Sequence, residues 1–517
     1  MVRKFVLNKI QATSGDSKIL WKSGIRTDHL WITGILIAAL ISISTVIIYP
    51  HDFWWHLKIG EWIYTHHRVP TTQMFSWALD DQFPYAYGAW LGELSLYLLY
   101  RLGRIPVVIL ARSLLALIAY SFVAFEAHRR TASWRWAAGA VLLLHLIGLY
   151  NLTVRPQIFS WVPFTIFLLL LGKFADQQIN KYWLLLCPLL MVYWVNSHGA
   201  FVLGIVLIGI YFVGELIPRV LKKTDAMPWQ DLLWLGFTGL LTLVALGINP
   251  RFLGIFQYVQ DLMTDRPSQQ LITEWQSPTP TEFAYAVYYL SIILLIVALA
   301  YSRKKLRLTE LLLVIAFLWL SWNGKRYVIW YGMAVIPILF GLIQELPIKY
   351  RGFRKQRNWF NVALLVLLLV PLTLVQPWII ERIPLPEKYE QEVLTDSPVG
   401  PMLSTKTPID STEYLRTHPG GNLFNEMGYG SYLIWALPEQ KVFIDTRIEL
   451  YPYDQWMDYI LISSGVRYNQ ILEKYGANRI LLSKDTQKEL STSLEDDPLW
   501  CKEYEDPYAQ IWLKEPQ

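Results

Sequence analysis

Residues 29–63 read HLWITGILIAALISISTVIIYPHDFWWHLKIGEWI. From 29 to 48 there is no Asp, Glu, Lys or Arg, and about twenty residues at ~1.5 Å each span a hydrocarbon core of ~30 Å. Two residues later come His51, Asp52, Trp54, Trp55, His56, Lys58 and Glu61. Tryptophan belongs at the headgroup level of a bilayer. A carboxylate and two imidazoles at the rim of an apolar phase are costly unless they have partners or a task. The stretch therefore predicts a spanning helix whose end opens into a polar, functional surface.

The composition agrees. Of 517 residues, 54% are hydrophobic and 17% charged, with a mean hydropathy of +0.29, whereas soluble domains carry about 25% charge. Two cysteines, Cys187 and Cys501, supply no disulfide or metal framework. The first 28 residues are polar, which does not fit a cleaved signal peptide. The net charge of +5 hides a division: from Glu381 onward there are 13 basic and 23 acidic residues, and before it 33 and 18. A basic membrane body with an acidic tail fits that division better than a nucleic-acid binder.

About eleven spans are expected, at 29–48, 105–125, 136–152, 158–173, 182–196, 200–218, 230–247, 282–301, 309–323, 326–344 and 360–379. Residues 86–102 (AYGAWLGELSLYLLYRL) are ambiguous, because Gly88, Gly92 and Glu93 interrupt them. Basic clusters at 3–26, 129–135, 219–223, 303–307 and 349–357 all fall inside only if 86–102 stays at the outer surface. On that topology the N-terminal segment 1–28 is cytoplasmic, and a membrane domain at 29–380 carries a first external loop at 49–104. Residues 381–517 then form an extracytoplasmic α/β domain. Helices are expected at 409–418 and 429–437 and in ILEKYGANRILLS before its glycine, and strand-like runs in NLFNEMGYG, KVFIDTRI and AQIWLKE.

The same topology puts the polar motifs on one side. Asp52, just past the first span, is the candidate general base; His56 could orient an acceptor, and Glu61 is a reserve carboxylate. His51, Asp52 and His56 could also hold a divalent ion, although their spacing is generic. Arg155, His198, Lys325, Arg326 and Arg251 are candidates for binding a phosphate, which guanidinium and ammonium groups neutralise well. Trp55, Glu93, Glu274 and Trp275 could contact a sugar or acceptor. For Asp445 and Arg447 in FIDTR, an internal salt bridge is the simpler reading.

A first span followed by a large loop with Asp52 at its start, and then Arg112 in the next apolar helix, resembles the GT-C integral-membrane glycosyltransferases. These include protein O-mannosyltransferases and the aminoarabinose transferase of lipid A. The blocks HDFWWHLKIGEWI, RPQIFSW, WVNSHGAFVLG, NP and FNEMGYGSYLIW…FIDTR are similar to a group of bacterial glycosyltransferase-like membrane proteins. His51 departs from the paired acids of some members, and the proline-rich acceptor signature is absent from 84–92, where only Pro84 stands.

The resemblance implies a hexosyl- or pentosyltransferase of the bacterial cytoplasmic membrane. It would move a sugar from a polyprenyl-phosphate donor to a glycan, lipid or protein acceptor among the membrane lipids, with Asp52 as base. Rival readings are a transporter of lipid-linked saccharide, a polymerase or ligase, and a noncatalytic envelope assembly protein.

Overall fold

The computed structural model describes residues 27–224, 226–346, 358–380, 382–383, 387–395 and 397–515. The cytoplasmic assignment of 1–28 and the basic cluster at 349–357 therefore fall almost wholly outside the described residues. The helices run in chain order, most of them apolar: α1 (Thr27–Ser44), α2 (Asp52–His66), α3 (Trp90–Thr131), α4 (Trp134–Ile147), α5 (Ile158–Ala175), α6 (Leu186–Ser197) and α7 (Val202–Val220). They continue as α8 (Trp229–Ala245), α9 (Gly254–Thr264), α10 (Arg266–Leu271), α11 (Phe283–Tyr301), α12 (Leu308–Trp322), α13 (Val328–Ile343) and α14 (Asn358–Leu374). Among the described residues, five helices are long and apolar enough to cross a membrane, and five apolar helices are shorter. Leu233, Leu240 and Val244 of α8 and Ile293 and Ile296 of α11 are exposed, an apolar surface suited to lipid. The protein is a multi-pass membrane protein.

The ambiguous segment is resolved locally by a break in the chain. Within α3, Gly103 (φ −173°, ψ 33°) and Arg104 (φ 54°, ψ −150°) leave helical geometry. Pro106 explains it, since proline cannot donate to the carbonyl four residues earlier and its ring clashes there. Residues 90–102 thus form a helix of their own, separate from the span that begins near Ile105.

The C-terminal part is an α/β domain. Its four-stranded sheet has the order β1 (Leu423–Asn425), β2 (Arg479–Ser483), β4 (Ala509–Lys514), β3 (Trp500–Glu505). β1 and β2 are parallel, and the other pairs are antiparallel. Helices α15 (Ile409–Thr417) and α16 (Met427–Ala436) lie where the sequence places them. KVFIDTRI does not: it joins no sheet. The Asn425 side chain occupies its edge instead, donating to the Ile444 carbonyl at 2.8 Å and accepting from the Phe443 amide at 2.8 Å. Its other partner is the loop after α2, where Val442 bridges Ser76.

This domain and that loop share a core. Trp55, Ile59 and Ile63 of α2 and Phe75, Tyr85 and Tyr87 beyond it pack with Phe424, Phe443, Leu450 and Trp456 of the tail. Ile48, four residues before Asp52, exchanges backbone hydrogen bonds of 2.9 Å with Met402 and Ser404. Gly428 lies against the Pro50 carbonyl and the His51 ring, so that even a methyl group would collide there. The start of α2 is therefore built partly by the C-terminal domain.

Candidate functional site

Asp52 is the first residue of α2, where helix-terminal N–H groups favour a negative charge. Its base is fixed from below. Arg112, 1% exposed, donates from Nη2 to the carbonyls of Ile43 at 2.6 Å and Val46 at 2.9 Å. It thereby satisfies acceptors left over at the end of α1.

Arg155 reaches Asp52 at 3.2 Å and also forks onto both oxygens of Glu274, one of them at 2.8 Å. One guanidinium thus joins α2, the turn before α5 and the long 250–281 loop. Burial works against the charge on Glu274, but Arg155 outweighs it and holds this carboxyl below its ordinary range.

His56 stands four residues after Asp52, on the same helical face. Its Nδ1 meets Glu93 Oε1 at 3.1 Å. Burial pushes the imidazole pKa down, the Glu93 pair opposes this, and Arg155 and Arg447 add to it, with a net lowering. Glu93 Oε2 and Trp55 Nε1 are both buried with no hydrogen-bond partner among the described residues. Two glycines permit this crowding. A side chain at Gly60 would strike the Glu93 carbonyl, and one at Gly92 would lie 2.5 Å from the Ser197 carbonyl and 3.0 Å from Pro156. The HDFWWH, GE, RPQ and NSHG motifs meet through these contacts.

His198 closes another side. Its Nδ1 accepts from the Ala200 amide at 3.1 Å and lies 3.1 Å from Ser160 Oγ, which leaves the proton on Nε2. Burial first, then Arg326, His56 and Arg155, push its pKa down to about 3. Arg326 lies 4.5 Å from the Trp275 ring and Arg251 6.0 Å from the Tyr258 ring; neither pairs with a carboxylate among the described residues. Lys325 does, with Glu282 at 2.8 Å. Arg251 also lines, with Ile63, Tyr64, Arg68, Trp90 and Leu98, an open, mainly apolar cleft of ≈ 970 Å³.

Several candidates stand elsewhere. Glu61 pairs with Lys58 at 2.7 Å; nine residues at about 100° each put it on the opposite face of α2 from Asp52, so it is not a second carboxylate of the cluster. The three proposed metal ligands do not converge, and among the described residues no three His, Cys, Asp or Glu groups do. His51 turns toward Gly428 and His56 toward Glu93, so the set does not fit a metal ion. Trp55 is 7% exposed, its ring 5.9 Å from the Arg447 guanidinium, and thus has little face free to stack on a sugar.

The tail contributes groups that sequence reading passed over. Asp445 and Arg447 do form the internal ion pair, at 2.7 Å and fully buried. Arg447 also donates to the Tyr87 hydroxyl at 3.2 Å, and Tyr451 donates to Asp445 at 2.5 Å. Two residues on, Glu449 accepts from the Tyr85 hydroxyl at 2.8 Å. Burial raises the Glu449 pKa, hydrogen bonds from its own amide and from Tyr85 oppose this, and Asp265 and Asp52 add to the rise, with a net raising.

By sequence, neither a family model nor a curated protein matches the chain. By structure, ArnT from Cupriavidus metallidurans in the apo state matches with a TM-score of 0.52 at 14% identity, over 94% of this chain and 98% of that one. ArnT bound to undecaprenyl phosphate gives 0.49 at 14%, over 94% and 99%. The oligosaccharyltransferase AglB from Archaeoglobus fulgidus, in complex with an inhibitory peptide and a dolichol-phosphate, gives 0.49 at 12%, over 91% and 72%. The chain shares the fold of ArnT, a polytopic helical body with a C-terminal α/β domain, as its sequence leads one to expect.

Proposed function

We propose that the protein transfers a sugar from a polyprenyl-phosphate donor to an acceptor at the outer face of the bacterial cytoplasmic membrane. The observation that carries this reading is the cluster of Asp52, Arg155, His56–Glu93, His198 and Arg326 at one end of a bundle with the ArnT fold. ArnT itself has been seen with undecaprenyl phosphate bound.

The acceptor hydroxyl oxygen attacks the anomeric carbon, the bond from that carbon to the phosphate oxygen breaks, and polyprenyl phosphate departs with the electron pair. Asp52 takes the hydroxyl proton. Arg155, held between two carboxylates, fixes the Asp52 side chain and neutralises part of its charge. Negative charge grows on the departing phosphate, so preorganised cations act mainly on the transition state. Arg326 and Arg251 suit that task, since they lie near aromatic rings and pair with no carboxylate among the described residues. His198, uncharged, can donate from Nε2. The cleft beside Arg251 and Arg68 suits an apolar chain ending in phosphate.

Asp52→Asn keeps the size of the side chain and removes the base. In nanodiscs it should lower transfer by about 10²–10⁴-fold with the protein still folded; near-normal turnover would remove Asp52 as the base. The outer placement is tested by cysteine labelling. A membrane-impermeant reagent in the medium should reach position 52 and miss 303–307, and the reverse result would overturn the topology.

A further inference from the structure

Glu449 lies where three segments meet. It belongs to the C-terminal domain, Tyr85 of the loop after α2 donates to its Oε1, and α10 of the 250–281 loop packs on the Ile448–Leu450 turn. That turn is held from behind. Arg447 is sealed among Trp55, Phe75 and Tyr85 at 5.3–5.9 Å, and Trp456 Nε1 donates to the Ile448 carbonyl at 3.1 Å. Glu449 is only half-buried, and no cation pairs with it among the described residues. The Tyr258 ring lies against Gly88, three residues after Tyr85, and 6.0 Å from Arg251, while Glu274, three residues after α10, pairs with Arg155 beside Asp52, so the turn that carries Glu449 adjoins the cluster around Asp52.

A carboxyl group that accepts from a tyrosine, on a turn adjoining the base's cluster, suits the hydroxyl groups of a saccharide, which can both donate and accept. It does not suit phosphate, which Glu449 would repel if ionised. We infer that Glu449 is a sugar-binding residue of the transfer site, contributed by the C-terminal domain, whose second oxygen hydrogen-bonds the saccharide carried by the lipid phosphate. The inference rests on the transferase reading and adds to it that the tail domain completes the sugar subsite.

Binding separates the two ideas without any acceptor. The protein in nanodiscs is titrated with bare undecaprenyl phosphate and with undecaprenyl phosphate carrying glucose, galactose, mannose or arabinose. Wild type should bind at least one sugar-bearing lipid about tenfold more tightly than the bare one, in line with one or two hydrogen bonds to a carboxyl group. Glu449→Ala should bind the bare lipid like wild type and lose the preference, and Glu449→Gln should keep part of it. A preference that survives Glu449→Ala, a wild type that binds all of these lipids alike, or a variant that also loses the bare lipid would each overturn the sugar-binding role. A wild type that binds no lipid phosphate would overturn the transferase reading itself.

Discussion

The two ends of the helix bundle use the same residue types to opposite effect. At the end away from Asp52, Glu126 binds both Arg129 and Arg130 at 2.7 Å, Arg129 and Arg307 share Asp176, and Arg130 also reaches Glu310. Each of these charges has an opposite partner, and the network ties α3, α5 and α12 together. At the Asp52 end Arg155 and Lys325 are paired, but among the described residues Arg326 and Arg251 lie near aromatic rings without a carboxylate partner, one buried oxygen of Glu93 has no hydrogen-bond partner, and Glu449 accepts from a tyrosine without pairing with a cation. Closed networks hold helices together. Open ones, in a low dielectric, are costly unless something arrives to complete them.

The largest effect expected from breaking this contrast is that of Asp52→Asn, already given as about 10²–10⁴-fold in transfer. Comparable in free energy but opposite in kind is Arg130→Met. Removing one member of a buried ion network costs about 3–5 kcal/mol, so heat denaturation in detergent should come earlier, while transfer per folded molecule stays within about twofold. If Arg130→Met abolished transfer in protein that remained folded, the two ends would not differ as described. Smaller is Arg326→Met, which should weaken binding of undecaprenyl phosphate and lower transfer by about 10–100-fold, the weight of one charged donor to a developing oxyanion. An unchanged affinity and rate would assign the phosphate elsewhere.

The smallest effect concerns pH. The His56 pKa lies below 6.5 in the folded protein, so the native site resists protonation. Between the folded and unfolded pKa values the unfolded chain binds more protons; this contribution to stability is present above about 6.5 and fades as the pH falls toward the folded value. The acid limb of transfer should therefore sit below pH 6.5 and shift in His56→Gln. A limb above 6.5 would contradict the burial of a neutral imidazole.

Much of the body could be read from the apolar runs, because lipid and helix impose one pattern on them, and α1, α5, α11 and α13 begin and end within a few residues of expectation. The polar motifs were legible as a set. Their pairings were not, since Arg155 meets Glu274 across 119 residues and Tyr87 meets Arg447 across 360. Glu61 is a reserve carboxylate by sequence, and helical phase removes it from the Asp52 face. KVFIDTRI has the alternation of a strand, but an asparagine side chain occupies the edge that a neighbouring strand would have used. Glu449 carries no local signal at all, and its meaning comes from the tyrosine and the 250–281 loop that folding brings to it.

Photo-crosslinking tests the contrast between the two ends most directly. A photoreactive undecaprenyl phosphate, activated on the intact protein in nanodiscs, should label peptides carrying residues 250–281 and 323–331, and bare undecaprenyl phosphate in excess should compete the label away. Label confined to the Arg129–Arg130 and 303–310 peptides would place the lipid phosphate at the closed end, and the proposed transfer site would not exist.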